Sequence, residues 1–196
     1  MFLAINEIKH SKLRYALVIG VMFLISYLVF FLSGLAYGLA QENRMAVDKW
    51  KATDIFLSEK ANDSLNMSMI DSDIASQVKA KEKAVLAQTA GIIYDANNEN
   101  KKNNVSFFGI NSNEFLNPNV IEGSDFKNKG EVVADISFKN QYDYKLGDKI
   151  KLATNNEVLT IVGFTDNAKF NISPVLYTSL DTFQQIRYGS NSNFQP

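Results

Sequence analysis

Residues 15–40 read YALVIGVMFLISYLVFFLSGLAYGLA, a run without a single charged side chain in a chain of 196 residues. An α-helix of roughly 25 residues extends about 38 Å, enough to cross a ~30 Å hydrocarbon layer with some tilt. Three other readings of the run fail on physical grounds. A buried core helix would have to be covered on every side for seven turns, which a domain this small cannot do. A cleaved signal has an apolar core of only about 7–15 residues. Gly34, Ala36, Gly38 and Ala40 imitate a cleavage site, but the run ahead of them is too long. An interfacial helix needs a polar face, and this stretch has none. The run is therefore expected to span a membrane.

Its flanks set the orientation. Lys9, Lys12 and Arg14 precede it with only Glu7 against them, whereas Glu42, Arg44, Asp48 and Lys49 follow it. Basic residues are retained on the cytoplasmic side, so the N-terminus is expected in the cytoplasm and the residues after about 40 outside the cell. Phe2, Ile5 and Ile8 recur at helical spacing, with Asn6, Glu7, Lys9 and Lys12 between them. That pattern predicts a short basic amphipathic segment over residues 1–14. The transmembrane helix follows at 15–40, an extracytoplasmic domain at 41–188 and a polar tail at 189–196.

The averages conceal this division: the chain is 46% hydrophobic and 21% charged, with a net charge of -1. So small a charge gives no electrostatic case for a nucleic-acid partner. With no cysteine, the chain has neither disulfides nor thiolate chemistry. His10 is the one histidine, too few for the usual zinc sites or a Ser–His–Asp triad. No P-loop, GxGxxG, GxSxG or HExxH motif occurs. Asp71 and Asp73, with Asp63 nearby, lack the further oxygens and the glycine of a calcium loop. They read instead as caps of a helix that begins near Ile70. No residue is assigned to catalysis or to a metal.

Beyond the span, the helix is expected to continue to about Val47, with Trp50 packed against the domain. Alternation predicts a strand at 53–58 (TDIFLS), and Ile70, Ile74 and Val78 predict a helix over 68–78. A strand within 84–94 leads into an Asn-rich stretch at 95–104 that reads as an exposed loop or hairpin tip. Strands follow at 105–110 (VSFFGI) and 131–136 (EVVADI), with a turn region between them around Pro118, Gly123 and Ser124. A short helix is read at 137–144, strands at 149–152 and 158–164 around an Asn155–Asn156 turn, an extended 174–177, and a helix at 180–187. Strands and short helices without a βαβ rhythm make the domain α+β.

Several of these segments carry recognisable patterns. Residues 121–126 (IEGSDF) precede Glu131-Val132-Val133, residues 144–150 read YKLGDKI, residues 160–164 TIVGF and residues 174–177 PVLY. In this order they resemble the extracytoplasmic core domain of FtsX-like and MacB-like ABC transporter permeases. The N-terminal run from Met1 to Ala40 is similar to the hemin-efflux permeases of Gram-positive bacteria, the HrtB type. The fold implied is a membrane-anchored α+β protein, one long N-terminal transmembrane helix followed by a MacB-like domain. The resemblance further implies a homodimer of permeases in the lipid bilayer, paired with an ABC ATPase subunit that binds and hydrolyses the ATP, so that this chain is not itself an enzyme. The implied substrate is hemin taken from the bilayer. Its iron would need Tyr, Met, His or Glu near the outer leaflet, which makes Tyr27, Tyr37, Glu42 and Met45 the candidate ligand residues. Permeases of this kind continue into three further spans, so the sequence is expected to be the N-terminal portion of one. The competing reading is a single-pass surface protein whose outer domain binds a ligand or partner without any ATPase.

Overall fold

The computed structural model describes residues 10–70, 74, 77–96 and 98–189, and it divides into two units, one up to Gln41 and one from Glu42. Helix α1 runs Lys12–Trp50, three residues past the expected end. Residues 12–40 are exposed throughout, and among the described residues this is the one helix long and apolar enough to cross a membrane. A helix that is apolar on every side and covered by no protein is at home in lipid, where all its backbone bonds are internal. Lys51 ends it by adopting φ 50°, the left-handed cap conformation usually left to glycine. Of the predicted amphipathic segment, residues 1–9 lie outside the described residues, as does the tail from residue 190.

The second unit is built on a mixed sheet. Strands β1 (Ala87–Asp95) and β2 (Asn98–Ile110) form an antiparallel hairpin. β1 also pairs with β5 (Lys149–Leu152), and β5 with β6 (Val158–Thr165). β6 runs parallel to β4 (Glu131–Asp135), β4 antiparallel to β8 (Ser173–Ser179), and β8 parallel to β2. The pairing circuit thus returns to its starting strand. β3 (Val120–Gly123) adds to β6, and β7 (Lys169–Phe170) to β8. Helix α2 (Ser137–Asn140) follows β4. Helix α3 (Leu180–Tyr188) follows β8, capped by the Ser179 hydroxyl, which accepts the Thr182 N–H at 3.2 Å.

Two apolar cores lie on opposite faces of the central strands. Phe107, Val132, Ala134 and Leu176 belong to one, with Phe138, Ile161, Phe183 and Ile186. Phe108, Val133, Val175 and Tyr177 belong to the other, with Ala46, Trp50 and Phe170. Side chains alternate along a strand, so residues 105–110 of β2, together with β4 and β8, are buried on both faces, which is why these segments read as largely apolar runs. Gly109 lets α3 settle onto β2: a Cβ there would lie 2.6 Å from that of Phe183.

Four expectations are corrected in whole or in part. Residues 53–58 are not a strand but an irregular stretch entering a 3-10 turn at Glu59–Ala61. Its alternation was present, but no strand lies alongside to pair with it. The helix expected over 68–78 is not formed at its start, where Ser68 is extended, but the described residues Ile74 and Gln77 are helical; residues 71–73, 75 and 76, Asp71 and Asp73 among them, fall outside the described residues. The Asn-rich 95–104 stretch does hold the hairpin tip, where Asp95 faces Asn98, but the rest is strand and not loop, because the register carries Lys102, Asn103 and Asn104 opposite Tyr94, Ile93 and Ile92. Cross-strand pairing there overrides low intrinsic propensity. The supposed turn region contains β3, which ends at Gly123 with φ 83°; a Cβ at that position would meet the Val162 carbonyl at 2.4 Å.

Candidate functional site

The last turns of α1 and the segment between β6 and β8 are joined by two ion pairs and a backbone hydrogen bond. Residues 42–50 keep helical spacing, so Glu42, Ala46 and Lys49 fall near one side of the helix. The Lys169 ammonium meets the Glu42 carboxylate at 2.8 Å. The Lys49 ammonium lies 2.5 Å from a carboxylate oxygen of Asp166 and also donates to the Asp166 carbonyl. Between these pairs the Asn171 N–H donates to the Asn43 carbonyl at 3.1 Å. Lys49 holds the Asp166 carboxyl below its usual value, mainly through the hydrogen bond and further through its charge, against the opposing effect of burial.

Beneath these polar clamps lies an aromatic cluster. The Phe108 ring sits 5.7 Å from Trp50, 5.4 Å from Phe170 and 5.6 Å from Tyr177, the last two edge-to-face. Such pairs add about 0.5–1.5 kcal/mol each beyond the area they bury. Ala46 is fully buried, its small side chain leaving the helix close to the sheet. Burial pushes the Tyr177 hydroxyl well above its ordinary value, and the charge of Asp135 adds to the effect.

The turn itself is held in an unusual shape. Asn167, Asn171 and Ile172 have φ of 46°, 49° and 68°. For a β-branched residue such as Ile172 this is a strained conformation, stable only where the surroundings impose it. Part of that constraint is Asp135, a buried carboxylate that accepts the Ala168 N–H at 2.8 Å and the Ser137 N–H at 2.9 Å. Paired strands on either side of the turn supply the rest. What the arrangement offers is mechanical: a helix end gripped by two ion pairs, a backbone bond and an aromatic pack.

The four candidate ligand residues are distributed along α1. Glu42 and Met45 lie in the second unit, both half-buried, and the Glu42 carboxylate is engaged by Lys169. Tyr27 and Tyr37 lie in the first unit and are exposed. The Tyr27 ring stacks on Phe31 at a centroid distance of 6.1 Å, and the Tyr37 hydroxyl accepts the Gln41 amide at 3.0 Å. Lys49, Asp166, Lys169 and Phe108 were not among the candidates. The only sequence signal for any of them is the polar Asp166-Asn167 step at the end of a long apolar strand.

Residues 15–194 match the MacB-like periplasmic core domain. The chain is 26% identical over 185 residues to the hemin transport system permease protein HrtB of Staphylococcus epidermidis, covering 94% of this chain and 51% of that protein. Against HrtB of Staphylococcus haemolyticus it is 24% identical over 186 residues, covering 95% and 52%. The chain thus spans about half the length of the curated relatives it matches. Among solved structures, the periplasmic region of MacB from Actinobacillus actinomycetemcomitans superposes with a TM-score of 0.49 at 16% identity, covering 65% of this chain and 63% of that one. The extracellular domain of the Gram-positive transporter YknZ superposes with a TM-score of 0.42 at 14% identity, covering 57% and 60%.

Proposed function

Because this chain belongs to the family of MacB-like periplasmic core domains, we propose that it serves as a permease subunit of an ABC transporter of the hemin-efflux type. The observation that carries the reading is the similarity to HrtB over 94% of the chain, which includes the apolar helix as well as the outer domain. The flanking charges favour a cytoplasmic N-terminus and an extracellular second unit. In this reading two copies pair in the bilayer with ATPase subunits, and hydrolysis of ATP on those partners moves the outer domains through their helices. The gripped end of α1 gives such a movement a firm point of application. Hemin would enter from the outer leaflet, with Tyr27, Tyr37, Glu42 and Met45 as the residues offered to its iron or periphery.

The test is genetic and biochemical together. Loss of the intact permease should lower hemin tolerance, and a P-loop ATPase should co-purify with the protein from detergent extracts. Tyr37→Phe and Met45→Ala in the intact permease should change the hemin absorbance and reduce resistance. Unaltered hemin tolerance on deletion would remove hemin as the cargo. Purification without any ATPase would instead favour a single-pass surface protein that binds a ligand by itself.

A further inference from the structure

The face of the sheet that carries Phe108 is covered at one end by Ala46, Trp50 and Phe170. Towards the tip of the β1–β2 hairpin the same face is bare. Side chains directly opposite one another on paired strands share a face. The register therefore sets four of them in one row: Lys102 on β2, Tyr94 on β1, Lys151 on β5 and Val158 on β6. Asn104 and Ile92 form the next row on one side, and Lys149 lies beside Thr160 on the other. Ile92 and Val158 are 44% and 47% exposed, so apolar side chains floor the open area. The Lys102 ammonium sits 5.4 Å from the centroid of the Tyr94 ring. Lys102 and Lys149 are both exposed, and neither meets a carboxylate among the described residues.

We propose that this bare face docks a planar, largely apolar dianion, a porphyrin whose two carboxylates meet Lys102 on one side of Tyr94 and Lys149 and Lys151 on the other. Neighbouring strands lie about 4.8 Å apart, which separates the Lys102 and Lys151 backbones by about 10 Å with Tyr94 between them. That spacing suits two charges carried on one ring system. The floor of Ile92, Tyr94 and Val158 requires the part between the charges to be apolar; a sugar or phosphodiester chain would set polar groups against it. Offset stacking on Tyr94 adds to the area buried, and the exposed ammonium groups contribute a salt-screened attraction. No histidine or methionine stands in these rows, so the ligand is held by its ring and its carboxylates, not by an axial bond to iron. The choice of a porphyrin as the dianion rests on the permease reading. There the face would be a landing place on the outer domain, separate from the residues offered to iron along α1.

The experiment titrates the full chain in lipid nanodiscs with hemin, with metal-free protoporphyrin and with the dimethyl ester of that porphyrin, against empty nanodiscs. Hemin and protoporphyrin should bind saturably and with similar affinity, and the uncharged ester should bind far more weakly. Lys102→Gln and Lys149→Gln should each weaken protoporphyrin binding about two- to fivefold, and the loss should shrink as salt is raised. Tyr94→Ala should cost about three- to tenfold. Tyr94→Phe, which keeps the ring and removes the phenol oxygen, should bind like the parent. An unchanged Trp50 emission spectrum verifies the fold of each variant. An ester that binds as well as the acid, or a Lys102→Gln/Lys149→Gln double variant that titrates like the parent, would overturn the site. Binding of hemin without protoporphyrin would overturn it too, yet leave the permease reading standing, since capture would then run through the iron. If neither porphyrin binds above empty nanodiscs the site falls, and the hemin tolerance of the deletion strain decides the permease reading separately.

Discussion

Lys49 holds Asp166 at two points, a carboxylate oxygen at 2.5 Å and the backbone carbonyl of the same residue, across 117 positions of sequence. The pair joins the end of α1 to the turn that follows β6. Both side chains retain contact with water, at 29% and 46% exposure, so the Coulombic part of the attraction is screened. Its value lies in geometry: the carbonyl bond sets where the turn sits as well as where the charge sits.

Removing either partner should therefore loosen the turn more than it lowers overall stability. Lys49→Met and Asp166→Asn are expected to cost about 1 kcal/mol or less each in urea unfolding. Hydrogen exchange should quicken at Ala168 and Asn171, and a double-mutant cycle should show that the two effects are coupled. Additive effects and unchanged exchange would show that the pair does not hold the turn.

The same pair has a defined response to pH. The folded state lowers the Asp166 carboxyl below its ordinary value of 3.8, so the contribution is fully present above that value. It is lost as the pH falls further, through the depressed folded value, because the unfolded chain takes up the proton first. Stability measured from pH 7 to 5 should show no loss from this pair. Below about pH 4 the parent should lose stability more steeply than Asp166→Asn. Identical acid limbs would contradict the assignment.

Phe108 is the hub of the aromatic cluster, and Phe108→Ala should destabilise the second unit by about 3–5 kcal/mol. Trp50, the chain's single tryptophan and only 7% exposed, reports the event directly. Its emission should shift to the red in the folded variant at low denaturant. A blue-shifted, parent-like spectrum would mean that the helix end does not depend on this ring.

Asp135→Ala would strand two buried N–H groups, of Ser137 and Ala168, that now share one carboxylate. Each unsatisfied donor costs about 1–3 kcal/mol, so a loss of several kcal/mol is expected. Asp135→Asn retains one accepting oxygen and should recover part of it. Equal losses in the two variants would show that one accepting oxygen gives no benefit, and that both oxygens of the carboxylate are what the site requires.

Gly109→Ala addresses the seat of α3. A Cβ at 2.6 Å from that of Phe183 cannot be accommodated without moving the helix, and overpacking of this kind costs about 1–3 kcal/mol. Phe183→Ala in the same chain keeps that Cβ but removes the ring carbons that would lie 2.7 and 3.1 Å away, so it should relieve only part of the clash while opening a cavity, and the double variant should be somewhat less unstable than the sum of the two single ones.

Those features that were legible in the sequence share one property: their information is local. Residues 15–40 announce a span by composition, and VSFFGI, EVVAD and PVLY announce strands because both faces of each are buried. TDIFLS has an equally good local pattern and forms no strand, since pairing depends on a neighbour that the fold does not bring to it. Asn98–Asn104 fails in the opposite sense, as a polar stretch drawn into a hairpin by the register that Ile92 and Ile93 impose. The clamps at the end of α1 left almost no trace beyond the polar Asp166-Asn167 step. Glu42 and Lys169 are 127 positions apart, and neither residue's own surroundings mention the other. The choice of Tyr27, Tyr37, Glu42 and Met45 came from their placement along one helix, which sets position but not partners.

The aromatic pack around Trp50 also has a consequence for biosynthesis. The helix that contributes Trp50 and Ala46 leaves the ribosome well before Phe170 and Tyr177, which follow Trp50 by more than 100 residues. At about 5–20 residues per second, that end of the helix waits on the order of ten seconds for the surfaces that cover it. During that interval a membrane-inserted segment carries an uncovered indole and an ungripped final turn. The nascent helix end is therefore most vulnerable to quality-control proteases after insertion and before β8 emerges, and a mutation in β8 would be felt at the end of α1.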